Sequence, residues 1–209
     1  MKTILCYGDS NTYGLMQDLS SRYPRDVRWT GQLQNLLGEE YYVIEEGLSD
    51  RTTCFDDELK DFKNGLKYLV PCLETHSPVD LVVLSLGIND LKTRYSLSLF
   101  EASLGAERLV QFILESGFGP EHSAPKVLLV APHQGVLQDN PFFREMFPEL
   151  PRRSAEIQKY YEDVAKRNRV MFLNPEDRLE VNTSDGIHYT ENGHRKLAEL
   201  IADVIWNNL

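Results

Sequence analysis

The chain has 209 residues, 22 lysines and arginines against 32 aspartates and glutamates, and a formal net charge of −10. A chain of this length fits one domain, residues 1–209, and buries roughly 70% of its unfolded surface, so it needs no staples to form a core. The charge repels phosphate backbones and anionic lipid surfaces, which argues against nucleic acid and membrane as partners.

Cys6, Cys54 and Cys72 are odd in number and show no CxxC or Cys/His ligand spacing. Neither a disulfide framework nor a zinc site is suggested, and reduced thiols in a cytoplasmic setting are the simpler expectation. MKTILCYGDS carries one lysine and a very short apolar run, which predicts no removable signal peptide. No uninterrupted apolar stretch is long enough to span a bilayer.

In chain order, an apolar run at residues 3–7 predicts the first strand and leads into GDSNTYG, residues 8–14. Residues 27–37 carry Trp29, Leu33, Leu36 and Leu37 at helical spacing, with Asp26 placed as a cap and Gly38 as a stop. A second strand at 41–45 runs into EEGLSDRTT, residues 45–53. A helix is expected from Asp56 to Val70, ending at Pro71 because proline cannot continue it. The run from Val79 to Leu86 is apolar at successive positions, as suits a central strand covered on both faces, and GIND follows at 87–90.

Ser98-Leu-Phe-Glu101 fits a capping box before the stripe Leu99, Ala102, Ala106, Leu109, Val110, Ile113 and Leu114, which stops before Gly117. The fourth strand is expected at 126–131. The Phe- and Pro-rich segment 132–151 then either packs its aromatics on the body, rims a site or meets another subunit. A helix over 154–168 is expected to turn Ile157, Tyr160, Tyr161 and Val164 inward. A fifth strand at 170–173 and a helix from Thr190 through Ile205 complete the pattern. Alternating strands and helices of this kind predict an α/β fold: a five-stranded parallel sheet inside a three-layer α/β/α sandwich.

Three polar clusters then share one sheet edge: Ser10 after the first strand, GLSDRTT after the second and GIND after the third. Near the far end of the chain, DGIH (185–188) places Asp185 and His188 three residues apart in a Gly-containing turn, as nucleophilic serine catalysis requires. An amide from residues 47–50, the Ser10 amide and the Asn89 side chain are candidate donors to an oxyanion; asparagine donates there without bringing a charge. Gly8 and Gly87 would serve where other residues cannot adopt the backbone conformation. Pocket size would depend on loops near Tyr13, Arg51, Tyr95 and residues 133–150.

Each feature also has a plainer reading: Ser10 as a helix cap, Asn89 as a turn residue, Asp185 as another cap and His188 as a surface histidine. Among the other histidines, His76 and His122 read as surface residues, His194 as structural, and His133 as a residue that could reach the pocket rim. Two rivals use different chemistry. A metal-dependent phosphoesterase would draw on Asp9, Asp90, Asp185 and His188. A non-catalytic binding module with a vestigial site is the other, favoured only by Asp50.

GDSN with Ser10 resembles block I of the SGNH, or GDSL, hydrolase superfamily, GLSDRTT resembles block II, GIND block III and DGIH block V, in order across nearly the whole chain. DVRWTG (26–31), EEGLSDRTT (45–53) and APKVLLVAP (124–132) are similar to its arylesterase and acyltransferase branch. The resemblance implies flavodoxin-like strand order, hydrolysis of small esters without a metal or organic cofactor, transfer of acyl groups to alcohols in some members, and assembly into homo-oligomers. It implies Ser10 as nucleophile and backbone donor, His188 as general base, Asp185 as its orienting carboxylate, and Asn89 as side-chain donor. The second backbone donor, glycine or alanine in relatives, falls on Asp50. A carboxylate there opposes an oxyanion unless it turns away or pairs with Arg51 or another cation. Block II often begins with asparagine, where this chain has Glu45.

Overall fold

A computed structural model describes residues 1–209. Strand β1 (Lys2–Gly8) leads into the short helix α1 (Ser10–Tyr13), followed by α2 (Trp29–Leu37), β2 (Tyr41–Gly47), α3 (Gly65–His76) and β3 (Leu81–Ser85). Then come α4 (Leu99–Glu115), β4 (Lys126–Val130), α5 (Pro141–Met146), α6 (Leu150–Asn168), β5 (Met171–Leu173) and α7 (Glu191–Asn208). The five strands are all parallel and lie in the order β2-β1-β3-β4-β5.

Strand alternation sorts the core into two layers. Leu5, Tyr7, Val82 and Leu84 point to one face and pack against Leu69 and Leu73 of α3, Leu109 of α4 and Ile157 and Tyr161 of α6. Ile4, Cys6, Leu81 and Val83 point to the other, against Trp29 and Leu33 of α2 and Leu197 and Ile201 of α7. β3 is thus buried on both sides, as its continuous apolar run requires. Each of these large side chains contributes about 1.5–3 kcal/mol by leaving water.

Several local expectations shift. The N-cap position of α2 is Arg28, which makes no side-chain cap bond, so Asp26 is not its cap. The capping box at Ser98 and Glu101 forms as expected. Tyr160 and Leu36 lie outward, because a helical stripe is narrower than four neighbouring apolar residues can share. Tyr160 instead packs its ring on Phe100.

The largest change is α3. Residues 56–63 are not helical, Asn64 caps the helix by accepting from the Lys67 amide, and Pro71 lies inside it. Leu59 and Phe62 are 75% and 90% exposed, so the 56–63 segment has no buried stripe to hold a helix. Pro71 is exposed, as is Lys67 whose carbonyl it leaves free, so water can satisfy that carbonyl while Leu69, Cys72 and Leu73 carry the buried face onward.

Candidate active site

Ser10 sits at the carboxyl end of β1, at the first position of α1. The cap is Asp9, whose carboxylate accepts from the Asn11 amide at 2.9 Å, leaving the Ser10 hydroxyl free for another partner. That partner is His188, whose Nε2 is 2.9 Å from Ser10 Oγ. Gly8 keeps the turn close for a steric reason rather than a conformational one: a Cβ there would lie 2.0 Å from Thr12 Oγ1. At Gly87 the conformational reason holds, with φ at 128°.

The DGIH turn is held by its own first residue. Asp185 Oδ1 accepts from the amides of Ile187 and His188, both at 2.8 Å, and Gly186 at φ 75° reverses the chain between them. Asp185 Oδ2 approaches His188 Nδ1 to 3.1 Å and also accepts from Asn182. The Nδ1 contact is close but off the ideal hydrogen-bond line, a looseness common before substrate binds. Burial pushes the Asp185 carboxyl up, but His188 and the two amides outweigh it and hold its pKa below the usual value.

Asn11 joins the two turns: its amide donates to the Ile187 carbonyl and its oxygen accepts from the Tyr189 amide at 3.0 Å. The only sequence signal for this clamp was its position beside Ser10.

Asn89 lies within a 3₁₀ turn after β3, buried, with Nδ2 donating to the Arg51 carbonyl at 3.1 Å. The amide has a second hydrogen to offer. Block II is pinned to block III by Thr53, whose amide and hydroxyl donate to Asp90 at 3.0 and 2.6 Å. Asp50 has φ 65°, which explains why glycine suits the position and why aspartate is tolerated there. Its backbone amide donates to no other group of the protein.

The Asp50 carboxylate is bridged by Lys92 and Lys60, each at 2.5 Å. Burial raises its pKa, yet the two ammonium groups pull it down to about 2. Lys92, 2% exposed, lies beneath the Phe147 ring. Arg51 is not the partner: it crosses the Tyr7 and Tyr68 rings and donates to the carbonyls of Gly8 and Glu46. Glu45 is neutralised in its own way, by Arg28 at 2.9 and 3.1 Å, Arg25 and the Thr30 hydroxyl, tying DVRWTG to block II. Neither lysine was singled out in the sequence, although Lys92 stands only two residues beyond GIND.

Ser10, Asn89, Asp50 and His188 line a cavity of about 290 Å³. Leu15, Leu19, Phe142, Phe143, Met146 and Phe147 form its apolar wall. The 132–151 segment therefore contributes helix α5 to the site, with Phe143 and Phe147 buried and Phe142 63% exposed at the mouth. Tyr13, Arg51 and Tyr95 are not in the wall. A larger cavity of about 750 Å³ opens beyond Lys60, but it contains none of Ser10, Asn89 and His188, so the chemistry points to the smaller one.

The remaining histidines separate clearly. His133 is buried away from the pocket, with Nδ1 3.2 Å from the Tyr189 hydroxyl, rather than at the rim. His194 accepts from the Trp29 amide, a structural role. His122 is exposed, whereas His76 is half-buried against Glu46. Asp9 and Asp90, the carboxylates of the phosphoesterase reading, are engaged by Asn11 and Thr53 and form no ligand cluster with Asp185 and His188. Burial lifts their pKa values to about 6 and about 7.

The carboxyl edge of the parallel sheet thus brings serine, imidazole and carboxylate side by side, an arrangement that serine hydrolases use. Residues 6–196 match the family model of the GDSL-like Lipase/Acylhydrolase family. The chain belongs to that family and is a carboxylic ester hydrolase. It is 38% identical to the aryl esterase of M. smegmatis, with a TM-score of 0.93 and full coverage of both chains. Est24, a carbohydrate acetylesterase from Sinorhizobium meliloti, superposes with a TM-score of 0.93 at 36% identity, again covering both chains fully. An acetylxylan esterase of Xylanibacter ruminicola is 26% identical over 97% of this chain, which spans 42% of that relative's length. No helix is long and apolar enough to cross a membrane.

Proposed function

We propose that this chain is a serine esterase for short-chain acyl or aryl esters that works through an acyl-enzyme on Ser10. The observation that carries the reading is the 2.9 Å contact between His188 Nε2 and Ser10 Oγ, with Asp185 behind the imidazole. His188 takes the hydroxyl proton as Ser10 Oγ attacks the ester carbonyl, then gives it to the leaving alkoxide. Water or an alcohol repeats the sequence in reverse and frees the acyl group. Asp185 holds the imidazole tautomer and stabilises the imidazolium.

Charge develops on the carbonyl oxygen, and three donors are available to it: the amides of Ser10 and Asp50 and the second hydrogen of Asn89 Nδ2. Asp50 can occupy this place because Lys60 and Lys92 neutralise its carboxylate. The small apolar-walled cavity favours a short acyl group, and the relatives' substrates suggest acetylated carbohydrates or aryl esters as the leaving-group side.

The test is a panel of esters varied in acyl length and leaving group, run with and without added alcohol beside Ser10→Ala. Acetyl esters should turn over fastest, alcohol should divert product to a new ester, and Ser10→Ala should be inert. Ordinary hydrolysis by purified Ser10→Ala would sink the assignment. A phosphonate ester should add once to the wild-type chain by intact mass and not to Ser10→Ala.

A further inference from the structure

The continuation of α3 through Pro71 assembles a group that a helix ending there would not. Cys72 and His76 are four residues apart on α3 and therefore share a face. That face meets the end of β2 at Glu46. The Cys72 Sγ, an imidazole nitrogen of His76 and a carboxylate oxygen of Glu46 all lie within 4.8 Å of one another. His76 Nε2 is already 2.9 Å from Glu46 Oε1. Cys72 is 2% exposed, its thiol makes no hydrogen bond, and it faces this pair. His76 and Glu46 remain reachable from solvent, and Glu46 lines the larger cavity, which supplies an entry path.

We propose that Glu46, Cys72 and His76 form a site for a borderline divalent transition metal of the zinc type, with solvent as the fourth ligand. One thiolate, one imidazole and one carboxylate are the donors such a cation prefers, whereas a thiolate is a poor ligand for calcium or magnesium. Tetrahedral bonds of about 2.0–2.3 Å place donor atoms roughly 3.3–3.8 Å apart, so side-chain rotation is enough to close the set.

On binding, the Cys72 S–H bond breaks, the sulfur–metal bond forms and the proton passes to water; nothing is oxidised. In the free chain, burial first and then the Glu46 charge push this thiol to about 12, so the metal must displace a firmly held proton. Arg51 is the opposing charge: its guanidinium lies over the Tyr7 and Tyr68 rings nearby. The thiolate and Glu46 together offset the two charges of the metal. Glu46 adjoins Gly47, and Arg51 holds the Glu46 carbonyl together with that of Gly8, so a bound metal would stiffen the block II loop.

The plainer alternative is a His–Glu hydrogen bond over an inert buried thiol, and cobalt separates the two. Metal-free protein titrated with Co²⁺ under a non-chelating reductant should develop a near-ultraviolet thiolate-to-cobalt band that saturates at one equivalent and is removed by Zn²⁺. Saturating Zn²⁺ should raise the thermal midpoint. Cys72→Ala should lose the band. His76→Gln, at a half-buried position, should weaken Co²⁺ binding about tenfold or more while leaving ester hydrolysis by the metal-free protein unchanged. Absence of the band at stoichiometric cobalt would overturn the site. So would a band that survives Cys72→Ala, which would place the thiolate at Cys6 or Cys54, or undiminished affinity in His76→Gln. Cobalt bound at His188 would carry no thiolate band.

Discussion

On one flank of Ser10 the His188 imidazole rides on a turn that bonds to itself, with Asp185 accepting from amides two and three residues ahead. On the other flank the Asp50 amide lies in a loop whose side chain is restrained by Lys60 and Lys92, 10 and 42 residues away. The first flank is local and can form as soon as the turn does. The second is correct only when three distant segments meet, an ion cluster that the whole fold must maintain. In the proposed mechanism a charged residue stands at an oxyanion position because its charge is cancelled where the donor needs none.

The largest expected effect tests what both flanks serve. Ser10→Ala should lower kcat by about 10⁴-fold or more with an unchanged thermal midpoint. Asn89→Ala removes one donor and should cost about 10²- to 10³-fold in kcat, with little change in KM.

Lys92→Met strikes the distant flank alone. Leaving the Asp50 carboxylate incompletely neutralised beside the developing oxyanion should lower kcat by roughly tenfold or more. Adding Asp50→Gly should restore most of that loss, because glycine adopts the same positive φ and brings no charge. If the double variant stays as slow as Lys92→Met, Lys92 acts by packing under Phe147 and the electrostatic contrast between the flanks falls.

The smallest effect concerns the layer behind the site. Burial, reinforced by the His188 charge, lowers the pKa of His133 to about 4. The folded state then binds fewer protons there than the unfolded state, so this stabilisation is complete above the unfolded value of about 6.5 and is lost as pH falls toward 4. His133→Gln should remove about 1 kcal/mol of the stability change between pH 7.5 and pH 6, read as the difference between the two chains' denaturation curves. Taking that difference cancels Asp9 and Asp90, whose raised pKa values act in the opposite sense. Identical pH dependence in both chains would show that His133 is not held neutral.

Much of the architecture was legible because it depends on short-range pattern. The double-faced burial of Val82, Val83 and Leu84 follows from an unbroken apolar run, and the start of α4 follows from Ser98 and Glu101. The start and end of α3 were not legible, since a proline rule for isolated helices ignores a buried stripe on the opposite face. The place of His133 stayed open in the sequence because its neighbour Pro132 says nothing about Tyr189, 56 residues on.

The sequence by itself determined the strand order's raw material, the serine past the first strand and the carboxylate–imidazole pair of DGIH, since these rest on periods and spacings of a few residues. Only the tertiary structure decided the charge at Asp50, the wall contributed by α5 and the meeting of Cys72, His76 and Glu46. Each depends on partners brought together by packing rather than by adjacency, and that information lies in the three-dimensional contacts of the folded chain.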